Sequence, residues 1–122
     1  MIRTLIAGAL LTAAAATSAL AADASAGQKV FKSQCSICHS AVKGNNGLGP
    51  SLFGVYGTKA GQVPGYKFSE ANEKSGLVLD AATLDKYLEN PRGVVPGTKM
   101  TYAGLKNADQ RADLIAYLAS LH

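Results

Sequence analysis

Cys35-Ser36-Ile37-Cys38-His39 is a C-x-x-C-H pentapeptide, and it holds both cysteines of the chain. On a helix or helical turn, positions i, i+3 and i+4 project from one face, so both thiols and the imidazole are presented together. Two thiols on one face can each add to a vinyl group of a porphyrin, and a histidine fixed beside them can reach the iron along its axis. The spacing is the attachment pattern of a c-type haem. The alternatives for C-x-x-C are weaker here. A thioredoxin-like disulfide requires a βαβ setting, and no such pattern flanks the motif. A four-ligand zinc site requires two further Cys or His, and only His122 remains. A plain structural disulfide leaves His39 without a role. The expectation is therefore one covalent haem c, attached at Cys35 and Cys38 with His39 on the iron.

Upstream of the motif, Arg3 and the apolar run of residues 5–16 lead to Ala19-Leu20-Ala21. This is the positive, apolar and A-x-A order of a secretory signal peptide. The apolar run is short for a membrane span. Residues 1–21 are thus expected to be removed, leaving residues 22–122 as a single domain exported to the periplasm. Export agrees with the cysteines, because outside the cytoplasm thiols are oxidised or used. Without Arg3 the chain keeps 11 basic and 8 acidic residues, a formal charge of +3. That mild excess, with no Lys/Arg cluster interleaved with aromatics, argues against nucleic acid. It suits docking to an acidic protein surface. A domain of this size has little apolar area of its own to bury, and a large cofactor would supply the missing core.

Downstream and around the motif the periodicity is helical. Gly27, Val30 and Phe31 form a face at i, i+3, i+4 within Ala24–Gln34, a first helix running into the motif. Residues 43–50 are dense in Gly and Asn, and Gly54, Gly57, Gly61, Pro64 and Gly65 prolong the loop character. So long a structureless stretch is unusual inside a small domain, unless it wraps a cofactor. Ser69 is positioned to cap a short helix to Lys74. Asp80 caps a longer one, with a stripe of Leu84, Tyr87 and Leu88, which is expected to stop at Asn90-Pro91. Residues 94–104 read as irregular. Asn107, with Gln110 three residues on, opens the last helix, whose buried face is Leu114, Ile115, Leu118 and Leu121 with Tyr117 at one edge. No stretch alternates like a strand. The fold class is all-α, a few short helices joined by loops.

A haem iron held by His39 needs a sixth ligand or keeps an open site. The candidates are Met100, His122 and several lysines. Met100 stands in the turn Pro96-Gly97-Thr98-Lys99-Met100, far from His39 in sequence, and is the sole Met after the signal. A lone Met is ordinarily a packing residue, but beside a haem this one reads as the distal ligand. Thioether ligation favours reduced iron and raises the potential.

The order and spacing of several stretches now carry a resemblance. They are Gly27-Gln28-Lys29-Val30-Phe31, the C-x-x-C-H, Gly49-Pro50-Ser51-Leu52, Gly61-Gln62-Val63-Pro64-Gly65-Tyr66, Tyr87-Leu88-Glu89-Asn90-Pro91, Pro96-Gly97-Thr98-Lys99-Met100 and Arg111-Ala112-Asp113-Leu114-Ile115-Ala116-Tyr117-Leu118. Across residues 22–122 the chain resembles the soluble class I cytochromes c, of the mitochondrial type and its bacterial relatives. The resemblance implies their fold, with the first helix packed on the last through Gly27 and Phe31 against Leu114, Tyr117 and Leu118. It implies that Met100 is the distal ligand and that the Pro50 carbonyl accepts from His39 Nδ1. It places Ser69, Asn72, Tyr87 and Thr98 in the haem pocket, the last three around a buried water and the Met sulfur. It makes Lys32, Lys43, Arg92, Lys99 and Lys106 the docking rim. The sequence departs from the family where a Tyr, a Trp and an Arg usually surround the buried haem propionate. Those positions are Phe68, Leu79 and Thr58 here, each without the usual donor. Lys59, Ser69 and Thr98 are candidate replacements. The loop between His39 and Pro50 is one residue shorter than in the mitochondrial form.

Three function classes can be weighed on these residues. A diffusible one-electron carrier needs both axial positions filled and an exposed haem edge. A haem enzyme or ligand sensor needs an open axial site with acid–base residues beside it, and only His122 is available. An electron-entry module needs a second domain, and none is present. The expectation is a monomeric periplasmic carrier and not an enzyme. Its partners would be membrane electron-transfer complexes, namely a cytochrome bc-type reductase, a terminal oxidase or a photosynthetic reaction centre, with the membrane contacted only through them.

Overall fold

The computed structural model describes residues 21–122; the signal peptide expected over residues 1–21 falls almost wholly outside them. Asp23 caps the first helix, its carboxylate accepting from the amides of Ser25 at 2.8 Å and Ala26 at 3.3 Å. The five helices are α1 (Ala24–Gln34), α2 (Glu70–Glu73), α3 (Ala81–Glu89), α4 (Pro91–Val94) and α5 (Ala108–Ser120). The starts of α2, α3 and α5 follow the same logic as α1. Ser69, Asp80 and Asn107 accept from the amides of Asn72, Thr83 and Gln110 at 3.1, 2.9 and 3.0 Å. Each cap satisfies a helix N–H that would otherwise lack a partner.

α1 and α5 cross in close contact, and Gly27 makes that approach possible. A Cβ there would stand 1.9 Å from the Asp113 carbonyl oxygen and 2.8 Å from Tyr117 Cβ. One turn on, the Phe31 and Tyr117 rings meet at 5.5 Å between centroids. Phe31 joins Leu84, Leu88, Leu105, Leu114, Ile115 and Leu118 in one buried cluster, against which Leu121 and Tyr117 are partly buried. The core therefore lies where α1, α3 and α5 converge.

The end of α3 differs from the sequence expectation. Asn90-Pro91 stops α3, but it also starts α4, where an irregular segment was expected from residue 94 onward. Asn90 takes its N–H back to the Lys86 carbonyl, while its side chain accepts from Gly93 N at 3.2 Å. Pro91 fills the first helical position, where a missing N–H costs nothing.

Residues 40–69 wrap the molecule without a helix, held by side chains. Asn46 donates to the Pro64 carbonyl at 3.0 Å and accepts from Ser51 N at 2.9 Å. The buried Ser51 hydroxyl donates to the Val42 carbonyl at 2.7 Å. At Gly61 the backbone has a φ of +81°, and a Cβ would lie 2.9 Å from Glu73 Cα, so the turn seats tightly on α2. Among the described residues the only strand-like pairing is a single bridge between Lys59 and Val78. None of their helices is long and apolar enough to cross a membrane.

Candidate functional site

The last turn of α1 delivers the pentapeptide. The amides of Cys35 and His39 bond back to the Phe31 and Cys35 carbonyls at 2.8 and 2.9 Å, so a helical geometry runs through the motif. Both thiols are free and half-buried. Burial, reinforced by the neighbouring Cys38 charge, pushes the Cys35 thiol up to about 11. It is therefore a neutral thiol at ordinary pH.

His39 is held in one orientation from two sides. Its Nδ1 lies 2.7 Å from the Pro50 carbonyl. A carbonyl only accepts, so Nδ1 carries the proton and Nε2 keeps its lone pair. Burial holds the ring below its ordinary pKa, with the Pro50 hydrogen bond acting in the other direction. The ring is also backed by Gly49, where a Cβ would come within 2.5 Å of His39 Cε1. The short loop before Pro50 thus admits only glycine at that point.

Opposite stands the segment between α4 and α5. Met100 N donates to Thr98 Oγ1 at 3.2 Å, and Tyr87 Oη donates to Met100 Sδ at 3.5 Å. Burial raises the Tyr87 pKa, which keeps the phenol a donor. Cys35, Cys38, His39, Pro50, Ser69, Asn72, Tyr87, Thr98 and Met100 all line one cleft of about 560 Å³. The remaining lining is largely apolar, including Leu52, Val55, Phe68, Leu84, Leu88 and Leu118. These residues fit a covalent haem. Two neutral thiols, an imidazole nitrogen with its lone pair free and a thioether share one largely apolar space of cofactor size. Ser69 lines this cleft while its hydroxyl oxygen caps α2, so only its proton is available to a ligand.

The five cations of the expected docking rim are all exposed, yet the structure brings only Lys99 to the cleft wall. Lys99 Nζ donates to the Lys67 carbonyl and sits 4.8 Å from the Tyr66 ring centroid. Arg92 and Lys106 are likewise tied to backbone carbonyls, of Thr101 and Glu89. Lys32 and Lys43 stand apart from the cleft lining. Four further cleft residues carried no sequence signal of their own. Tyr66 Oη donates to the Leu48 carbonyl at 2.8 Å, and Tyr102 Oη donates to Gln34 Oε1 at 3.0 Å. Ile37 and Leu48 are 89% and 79% exposed at the cleft margin.

A small all-α fold, whose first and last helices cross beside a C-x-x-C-H cleft, defines a class of haem protein. The comparisons agree with it. The cytochrome c family matches residues 24–122. The cytochrome c2 of Rhodomicrobium vannielii is 54% identical over 103 residues, 84% of this chain and 82% of that one. The cytochrome c of Euglena viridis is 50% identical over 99 residues, 81% of this chain and 97% of its own. Among solved structures, cytochrome cH from Methylobacterium extorquens superposes with a TM-score of 0.75 at 46% identity, covering 80% of this chain and 98% of that one. The chain belongs to the cytochrome c family. It is a haem c electron carrier and not an enzyme.

Proposed function

We propose that this protein is a periplasmic one-electron carrier with Cys35 and Cys38 in thioether bonds to its haem and His39 and Met100 as the axial ligands. The observation that carries the reading is the convergence of all four side chains on one cleft. When bound there, haem c supplies a one-electron Fe(III)/Fe(II) couple. The chain's own residues set its properties. The Pro50 carbonyl fixes the tautomer of His39 and makes its free nitrogen a better donor. Tyr87 and Thr98 hold the Met100 thioether and its backbone. The apolar lining excludes water, and a filled pair of axial positions leaves no room for substrate chemistry. Both features suit a centre that only gains and loses an electron.

The secretory pattern of residues 1–21 supports export with cleavage after Ala21. The mild positive charge of +3 on residues 22–122 supports transient docking to acidic faces of membrane electron-transfer complexes. A bc-type reductase would supply the electron, and an oxidase or reaction centre would accept or exchange it. The test is Met100→Ala. The variant should lose the weak near-infrared Met–Fe(III) band, fall in potential and bind small iron ligands. A variant whose spectrum and potential match the wild type would remove Met100 from the iron.

A further inference from the structure

The segment that carries Met100 has little backbone structure of its own. Among the described residues, no backbone-to-backbone hydrogen bond involves residues 99–104. Side chains therefore hold it in place. Arg92 reaches the Thr101 carbonyl at 3.0 Å, Tyr87 reaches Met100 Sδ, and Lys99 reaches the Lys67 carbonyl. The next backbone tie is Leu105 N to the Leu88 carbonyl at 2.8 Å. All of these bind the segment to α3, to α4 or to the chain just before α2.

One bond differs. Tyr102 Oη donates to Gln34 Oε1 at 3.0 Å, across 68 positions of sequence. Gln34 is the last residue of α1, next to Cys35. Both partners line the cleft, and the Tyr102 ring packs on the core cluster. This bond alone joins the segment bearing Met100 to the helix end bearing the thiols.

We infer that Tyr102 and Gln34 form a latch that positions the Met100 segment shut across the cleft. The inference rests on the reading of Met100 as axial ligand. Displacing Met100 by another ligand requires the segment to swing away, and the swing must break this bond. The Tyr102 ring would fill the cleft mouth even as phenylalanine. The hydroxyl adds a directional tie, worth what one net hydrogen bond contributes to the closed state.

The probe is imidazole, titrated into the ferric holoprotein and followed by loss of the Met–Fe(III) near-infrared band. Tyr102→Phe keeps the ring and should raise the apparent imidazole affinity about two- to tenfold, the range of one net hydrogen bond. Gln34→Leu should do the same, and the double variant should do no more than either single one. Gln34→Glu keeps an acceptor and should stay near wild type. Equal affinity in Tyr102→Phe and wild type would overturn the latch, as would effects of the two single variants that multiply in the double. Met100→Ala separates the underlying reading. If it binds imidazole no more tightly than wild type, Met100 is not the displaced ligand and the latch falls with it. If it binds more tightly while Tyr102→Phe is unchanged, the latch alone falls.

Discussion

A thioether sulfur has two lone pairs, and Tyr87 Oη engages one of them at 3.5 Å. A donor on that lone pair withdraws density from the other. The loss weakens donation to ferric iron more than to ferrous iron, because the ferric centre demands more. Hydrogen bonding around a ligand is one of the levers that set a haem potential. Tyr87→Phe should therefore lower the potential, by on the order of tens of millivolts for a difference of about 1 kcal/mol in a one-electron couple. Potentiometry against wild type checks it; an unchanged or raised potential would mean the hydroxyl does not act on the sulfur. At this scale the chemistry was legible where it was local. Cys35, Cys38 and His39 sit within five residues, so spacing alone aligned them. Pro50 as partner of His39 followed only from the family resemblance, since nothing in a Gly-Pro pair says where its carbonyl points. Tyr102 was not legible at all. Its partner is 68 positions away, and a tyrosine two residues after a methionine has no pattern of its own.

Helix contacts decide whether the cleft has walls. α1 brings the thiols and α5 backs them, and the two meet over Gly27. An added methyl there, 1.9 Å from the Asp113 carbonyl oxygen, meets backbone that cannot rotate away. Gly27→Ala should cost the holoprotein about 2–3 kcal/mol through overpacking, on the order of 10 °C in melting temperature. A thermal melt within a degree or two of wild type would show that the helices separate freely. The limits of α1, α3 and α5 were readable because Asp80 and Asn107 are strong caps and the apolar stripes are regular. α4 was missed because Pro91 was read only as a stop, although proline also favours a first helical position. Arg111 was missed for another reason. It lies three residues before Leu114 on the same stripe, at a core position, and is 6% exposed. It is satisfied there by Asp85 at 2.8 Å and by the carbonyls of Leu105 and Lys106 at 3.0 and 3.1 Å. Asp85 raises its pKa, so the guanidinium stays charged and ties α5 to α3. A charged residue on an apolar stripe was a visible sign of such a pairing, but its partners come from tertiary structure.

Across the whole molecule the charge balance and the cofactor environment set how the carrier works. With a formal charge of +3 on residues 22–122 and Lys99 the lone Lys or Arg on the cleft wall, electron transfer to an acidic partner should slow only modestly as salt rises past 0.1 M, where screening extends over about 10 Å. Stopped-flow rates across ionic strength check this, and a rate that is flat or rises would remove the basic-rim argument. The potential should depend on pH, and the reason lies beside the main cleft. A smaller cavity of about 70 Å³ is lined by Thr58, Lys59, Phe68 and Leu79 among others. The family resemblance puts the buried haem propionate against these positions. The Thr58 hydroxyl already donates to the Val55 carbonyl at 2.7 Å. Phe68 stacks edge-on with Tyr66 at 4.9 Å, and Leu79 packs on the core. None of the three presents a spare donor, and a buried carboxylate without donors is costly. Its pKa should therefore rise. Ionised propionate stabilises ferric iron more than ferrous iron, because the ferric centre carries one more positive charge. Protonation removes that stabilisation and raises the potential, so the potential falls as pH climbs through the raised pKa and levels off above it. Lys59 lines the same cavity and is the nearest replacement cation. Its ammonium would hold the propionate ionised, so Lys59→Gln should move the inflection to higher pH. Potentiometric titration from mildly acidic to mildly alkaline pH decides the matter. A level potential in both proteins, below any alkaline ligand exchange, would mean that solvent or other donors satisfy the carboxylate and that Thr58, Phe68 and Leu79 carry no electrochemical consequence.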